Sequence, residues 1–590
     1  MSDPLSLFAK TKGFVKRHVE VILLLLFFFA CWGFLYTTIG GPTTWDELLY
    51  MDLGLNPRAD GHYLNRWAHI YFQKLFLDVA PTPLQGARLF WGFLVSATLV
   101  FTYLIAKSIT SKSNYLNGIT AVLFLGSSAL IFKFAGNTYA DYTVMFFVTL
   151  AVWVYLFYSR SRSRYRWLLL VLFGFVFFAA VKSKETGIVL LIPILGFGFK
   201  DNAFNIRFFV KNLAFIVGGM VVSLGLLTSL DNLFVGDPLV SISAQSLSEY
   251  SSFVLRNSSL ESAIKERIYA IVVTFSAYWL DIIKPWIEQI LWRLPVFSLL
   301  YLVTLFYLVA DLSKVRKQRN RDWAELFIWL LPVAFLIILV LAASGAKDRH
   351  FFPMHPILAI LGAQFFTIAL PINMNQISSR FLRFIRLRRT IVSIFLMGIY
   401  LLYRYGTEIN LIYDRLLVTF SGIIMILLSV WARKWTTMLS ALALLSVITF
   451  SFYGIFFENF IPLAKGEIAA ESIERFRPLE DITGVFQCAP TTRIYVSSNV
   501  HRDFDTLGRD LSSNPWFFNV FFDCQLSVSQ FTFAWPPTLP ADITEGEIFT
   551  YAFLTTTEFN ELGSEGQQEI EEIYLVRNIY NGQIIFLSSE

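Results

Sequence analysis

The stretch Val21-Ile-Leu-Leu-Leu-Leu-Phe-Phe-Phe-Ala-Cys-Trp-Gly-Phe-Leu-Tyr-Thr-Thr-Ile39 runs for 19 residues without a charged side chain, and Thr43-Thr-Trp-Asp-Glu47 follows almost at once. A bilayer core about 30 Å thick needs about 20 apolar residues per helical span, so the run is long enough to cross one. A secretory signal peptide would also place basic residues before an apolar run. Here the apolar run is of spanning length, and Tyr36-Thr-Thr-Ile-Gly-Gly41 offers no clear small-residue cleavage site, so we read a first span.

Outward from that run, similar stretches recur at 88–107, 117–133, 143–158, 167–182, 187–199, 212–230, 294–312, 324–343, 353–371, 390–404, 415–431 and 436–456, about thirteen in all. The composition agrees: of 590 residues, 55% are apolar, 17% aromatic and only 15% charged, where a soluble domain carries about a quarter charged residues. This excludes a disordered, fibrous or cytosolic protein. The expected fold class is a polytopic α-helical membrane protein. The net charge of +5 conceals two environments, because residues 457–590 carry 7 Lys and Arg against 20 Asp and Glu, which leaves +18 for residues 1–456. The expected domains are therefore a membrane region, 1–456, with long outer segments at about 40–87 and 231–293, and a small acidic α/β domain, 457–590.

Lys and Arg gather in cytoplasmic loops, and alternate connections here are strongly basic: Lys10 to Arg17, Arg160 to Arg166, Lys314 to Arg321 and Arg380 to Arg389. Seven such inner segments hold 25 Lys and Arg, whereas the short opposite loops hold Lys184, Lys347 and Arg349. The N-terminus is thus expected in the cytoplasm and, with an odd number of spans, the C-terminal domain outside. The 187–199 segment is short for a span and reads as a broken helix, which is tolerated only against a protein cavity. In the outer domain, Ala469 to Val485 reads as a helix, Arg493 to Ser497 and Ile548 to Thr555 as strands, and Ile573 to Ser588 as a hairpin around Asn581-Gly582. Cys488 and Cys524 both fall in this domain, where an oxidising compartment makes a disulfide between them plausible. No repeat is visible at periods of 20–50 residues.

The chemistry-bearing residues lie in the outward segments. Asp46 and Glu47 stand at the mouth of the membrane region, and Arg58, Asp60, His62, Arg66 and His69 follow. A carboxylate there could act as general base toward a hydroxyl; equally, the triplet could be the solvated start of a surface helix. Asp141, in the short connection Gly136-Asn-Thr-Tyr-Ala-Asp-Tyr142, is a second candidate, with a helix N-cap as the alternative. Lys182-Ser-Lys-Glu-Thr-Gly187 embeds ionisable groups between apolar runs, where such groups face a cavity or a partner. Lys184 suits a lipid-linked phosphate, and a plain Lys184–Glu185 interaction is the alternative. Lys347-Asp-Arg-His-Phe-Phe-Pro-Met-His355 adds Arg349 and His350, which could join Lys184 on an anion. Arg349 could instead snorkel to headgroups, and His350 and His355 could be core histidines. Trp279, Trp286 and Trp292 suit either a cover over a donor or an interfacial belt.

These features, in this order, resemble the GT-C membrane glycosyltransferases of the type related to protein O-mannosyltransferases and lipid A aminoarabinose transferases. The matching elements are the acidic pair Asp46-Glu47, Ala87-Arg-Leu-Phe90 at the second span, Asp141, the break Ser183-Lys-Glu-Thr-Gly187 and Arg349-His-Phe-Phe-Pro353. The likeness covers roughly residues 20–370. It departs at His350, where the family often has Tyr, and over 390–456, which carry no matching motif. The resemblance implies a polyprenyl-phosphate sugar donor and a glycan, lipid or protein acceptor, with membrane lipids around and no nucleic-acid partner. It further implies Asp46 as base, Glu47 beside it, and Lys184, Arg349 and His350 at the donor phosphate, with inversion at the sugar carbon. Some relatives in the superfamily use a divalent metal, although no His, Cys or carboxylate spacing here commits to a metal site. A transporter or flippase of lipid-linked saccharides would share the spans and the cations but would not need the base.

Overall fold

The computed structural model describes residues 4–38, 45–58, 66–109, 115–128, 131–132, 139–161, 163–200, 203–240, 323–342, 352–368, 486–489, 491–497, 499–500, 518–519, 531–533, 549–579 and 582–589. The expected spans at 294–312, 390–404, 415–431 and 436–456, the three interfacial tryptophans and the 469–485 helix lie outside these residues.

The apolar runs form long helices: α1 (Pro4–Thr38), α4 (Pro83–Ser108), α6 (Ala140–Arg160), α7 (Arg166–Ser183) and α9 (Ile206–Phe234). These five, counting α1 from Val19, are long and apolar enough to cross a membrane among the described residues. Helices α10 (Trp323–Ala342) and α11 (His355–Ile368) follow later in the chain. Between α4 and α6, α5 (Tyr115–Gly126) is shorter than the span read at 117–133. The segment read as a broken span is indeed broken: a 3-10 turn, Glu185–Leu190, leads into a six-residue helix, α8 (Leu191–Gly196), and then a short antiparallel pair, β1 (Phe199–Lys200) and β2 (Ala203–Phe204).

Helix length and charge give the bundle two distinct ends. At about 1.5 Å per residue, α6 separates Asp141 from Arg160 by roughly a bilayer core. At the Arg160 end, Arg160 Nη2 donates to the carbonyl of Ile109 at 2.6 Å, just past α4, and Lys107 of α4 pairs with Glu20 of α1. The start of α6 and the end of α7, with Asp141 and Lys184, occupy the opposite end. Helix α7 packs between α6 and α9. Its crossing with α9 is close because both helices present glycine: a Cβ on Gly174 would lie 1.9 Å from the Ile216 carbonyl oxygen, and one on Gly219 1.9 Å from that of Val171. Small residues at such a crossing let backbones approach where burial from water supplies no driving force between helices.

The segment expected outside, 40–87, is built in its described part of two short buried helices, α2 (Trp45–Leu55) and α3 (Trp67–Leu77). Eleven residues each, they are too short to cross a bilayer. Leu49, Tyr50 and Leu53 of α2 join Trp67, Ile70 and Tyr71 of α3 in a core that also takes in Ala140, Leu227 and Val240. The apolar faces of α2 and α3 thus cap the Asp141 end of α6 and the C-terminal end of α9.

The acidic region folds as a mixed sheet of order β4-β3-β5-β7-β6, from β3 (Ile494–Val496), β4 (Phe531–Phe533), β5 (Tyr551–Thr555), β6 (Leu575–Ile579) and β7 (Ile584–Ser588). Strand β3 runs parallel to β4 and β5, and β7 runs antiparallel to β5 and β6. The expected hairpin is β6–β7, turned by Gly582 at φ +78°. Two helices not anticipated, α12 (Thr556–Glu561) and α13 (Gly563–Ile573), lie between β5 and β6. A capping box starts α12: Glu558 accepts from the backbone and hydroxyl of Thr555, and also from Ser497 and Asn499. Cys488 is disulfide-bonded and Cys31 is free; Cys524 lies outside the described residues.

Candidate active site

The site begins where α7 stops. Lys184 leaves the helix in an extended conformation, its N–H still bonded to the Ala180 carbonyl at 3.1 Å, and its own carbonyl then receives Gly187 N–H at 3.0 Å to open the 3-10 turn. Only glycine fits at 187, since a Cβ would lie 2.5 Å from the Ala180 carbonyl carbon. This fold-back holds the Lys184 side chain inside the protein, 5% exposed.

Its ammonium meets Asp141, with Nζ 2.6 Å from Oδ1. Asp141 is 3% exposed and sits in the first turn of α6, where the free N–H groups of the helix end favour a carboxylate. It is not the N-cap: that position is Tyr139, which makes no side-chain cap bond. The hydrogen bond of Lys184 goes to Asp141 across the helices, while its exposed neighbour Glu185 acts on it through its charge. A charge-assisted bond of this length is strong, and at this burial neither partner could be left alone cheaply.

Other charges gather around the pair. Arg66 and Glu185 act electrostatically on Lys184, while Glu47 and Asp141 act on Tyr142. Glu47 is fully buried in α2, so the solvated surface start does not describe it. Asp46 precedes it in the first turn of α2; its side chain lies outside the described residues. Arg66 donates to the Tyr50 hydroxyl and stands 5.7 Å from the ring centroid. Tyr50 in turn meets His69 edge to face at 4.8 Å, and His69 Nδ1 shares a hydrogen bond of 2.7 Å with Thr143 Oγ1.

The remaining candidates are distributed differently. Arg58 pairs with buried Asp52 and reaches the Asn56 carbonyl, closing the C-terminal end of α2. His62, Arg349 and His350 lie outside the described residues. Phe352, three residues after Arg349 in the sequence, packs on Tyr142, the neighbour of Asp141, at 4.8 Å between ring centroids. His355 is a core histidine, buried with Nδ1 3.1 Å from Ser128 Oγ. Among the described residues, no group of three His, Cys, Asp or Glu side chains could hold a metal.

Sequence reading missed a second polar contact at this end: Tyr71 of α3 donates to Asp231 of α9 at 2.8 Å. Burial and that carboxylate push the Tyr71 phenol well above its ordinary range. The charge of Asp231 also acts on Lys182. An Asp near the end of an apolar run was the available signal.

No protein-family model and no curated protein sequence matches the chain. Solved structures do. The chain is similar to ArnT from Cupriavidus metallidurans in the apo state, at 11% identity over 98% of both chains with a TM-score of 0.53. It is similar to the same ArnT bound to undecaprenyl phosphate, at 12% identity over 97% of this chain and 98% of that one, with a TM-score of 0.50. The archaeal oligosaccharyltransferase AglB from Archaeoglobus fulgidus, in complex with an inhibitory peptide and a dolichol-phosphate, matches at 11% identity over 98% of this chain and 74% of that one, with a TM-score of 0.43. The ArnT likeness is one of fold over nearly the whole chain, and it bears out the GT-C resemblance at that level.

Proposed function

We propose that the protein is a membrane glycosyltransferase that moves a sugar from a polyprenyl-phosphate carrier to an acceptor hydroxyl at the extracytoplasmic face. The observation that carries this reading is the buried Asp141–Lys184 pair, with Arg66 acting on Lys184 and Glu47 on the adjoining Tyr142, at the end of the bundle away from the Arg160 to Arg166 loop. Charged groups inside a membrane protein are costly and mark functional paths by default. The reading gains support from the fold shared with ArnT, one of whose structures is bound to undecaprenyl phosphate.

In this reading the acceptor hydroxyl attacks the sugar carbon as its bond to the phosphate oxygen breaks, and polyprenyl phosphate leaves. Asp46 takes the hydroxyl proton, and Glu47 orients either Asp46 or the acceptor. A phosphate monoester departs without a general acid, so one base suffices, unlike the carboxylate pair of glycosidases. A single in-line displacement inverts the sugar carbon. Lys184, Arg349 and His350 counter the charge that grows on the phosphate, where fixed cations help most. The isoprenoid tail stays in the lipid while the sugar meets a polar acceptor at the outer surface. Residues 1–456 form the catalytic membrane domain and 457–590 an extracytoplasmic module, braced by a Cys488–Cys524 disulfide.

The test is Asp46→Asn, nearly isosteric, assayed for transfer from a synthetic short-chain polyprenyl-phosphate sugar in detergent. Loss of a general base costs about 10²–10⁴-fold, and the loss should fall on the catalytic step while donor affinity is kept. Full activity in Asp46→Asn would move the base to Glu47 or Asp141.

A further inference from the structure

We infer that His69 is the positioning residue of this site, tying α2, which carries Glu47, to the first turn of α6, which carries Asp141. The inference takes its chemistry from the proposed transfer and its geometry from four side chains. His69 is fully buried on α3. On one side its ring meets Tyr50, three residues after Glu47 and therefore on the same face of α2. On the other, Nδ1 shares the 2.7 Å bond with Thr143, two residues after Asp141. Phe90 of α4 closes a third side at 5.6 Å between centroids.

A buried hydrogen bond between elements 74 residues apart in sequence fixes orientation in a way that apolar contact does not, because the polar partners tolerate no slippage. Glu47 belongs to an 11-residue helix with no span of its own. Its place relative to the Asp141–Lys184 pair therefore depends on what α2 leans on. Tyr50 adds a second function to the same contact: with its hydroxyl held by Arg66 and its ring against His69, it links that cation to the tether as well.

The test is a double-mutant cycle with a conservative rescue. His69→Gln puts its amide where Nε2 stands and loses the Thr143 bond, and Thr143→Val removes the hydroxyl at constant shape. Each should lower kcat for sugar transfer about 10-fold or more, as small misplacements do, with donor KM unchanged, and the double variant should lose no more than either single one. His69→Asn, whose amide falls near Nδ1, should restore most of the rate. Hydrogen exchange by mass spectrometry should show faster exchange of the α2 amides in His69→Gln and Thr143→Val, and protection regained in His69→Asn. Additive losses, an effect on KM alone, or unchanged α2 exchange would overturn the inference. Exchange needs no substrate, so it decides the tether even if the wild-type protein transferred no sugar, a result that would count against the proposed function instead.

Discussion

Asp141 and Lys184 each carry a charge that almost no water reaches, and each is held by the other. Truncating one member of such a pair strands the remaining charge and costs about 3–5 kcal/mol, whereas replacing both with apolar side chains of similar volume is close to neutral. Asp141→Ala and Lys184→Ala should therefore each lower the midpoint of thermal unfolding in detergent, and Asp141→Leu combined with Lys184→Met should recover most of that loss. The double variant should nevertheless transfer no sugar, because it keeps the packing and lacks the charge proposed to face the donor phosphate. Retained transfer would make the pair purely structural. Both residues stand out in the sequence as ionisable groups beside apolar runs. Their partnership does not, since 43 residues separate them and no periodicity links them. Local reasoning supplied an N-cap for one and an adjacent glutamate for the other, and the contact across α6 and α7 satisfies both charges better.

The turn after α7 depends on Gly187 as strictly as the pair depends on its charges. Gly187→Ala would drive a Cβ into the Ala180 backbone and push the 3-10 segment outward, carrying Lys184 from Asp141. Transfer should fall by at least about 10-fold by the same misplacement argument. Gly225→Ala on α9 has nothing within 4 Å of the added carbon and should leave activity intact, Ala being the better helix former. Equal effects of the two substitutions would show that general helix perturbation, and not the turn, is being read. The long helices were legible because 20 apolar residues are a strong signal. Helices α2 and α3 were not, because Asp46, Glu47, Asp52, His69 and Lys74 interrupt their apolar faces. Of these, Glu47, Asp52, His69 and Lys74 are buried by tertiary contacts that no window of sequence reports.

Helix length separates the basic loops from the charged site by about one bilayer thickness, so the two ends should be labelled from opposite sides. In a protein lacking Cys31, Glu185→Cys should react with a membrane-impermeant maleimide on intact cells, and Arg164→Cys only after permeabilisation. Both residues are exposed. Reaction of both from one side would break the assigned orientation. The shared end also places the proposed donor where its isoprenoid chain can remain in lipid, a requirement that a transferase and a flippase have in common. What separates them is whether a sugar–phosphate bond breaks. The measurement is therefore made on purified wild-type protein in detergent, with a short-chain polyprenyl-phosphate sugar labelled with ¹³C at the anomeric carbon. The membrane and surface-glycan fraction of the producing cells serves as acceptor pool. The expected result is release of polyprenyl phosphate in step with a new glycosidic carbon of inverted configuration. Intact donor in detergent, together with movement of the same donor across liposomes containing the protein, would contradict it.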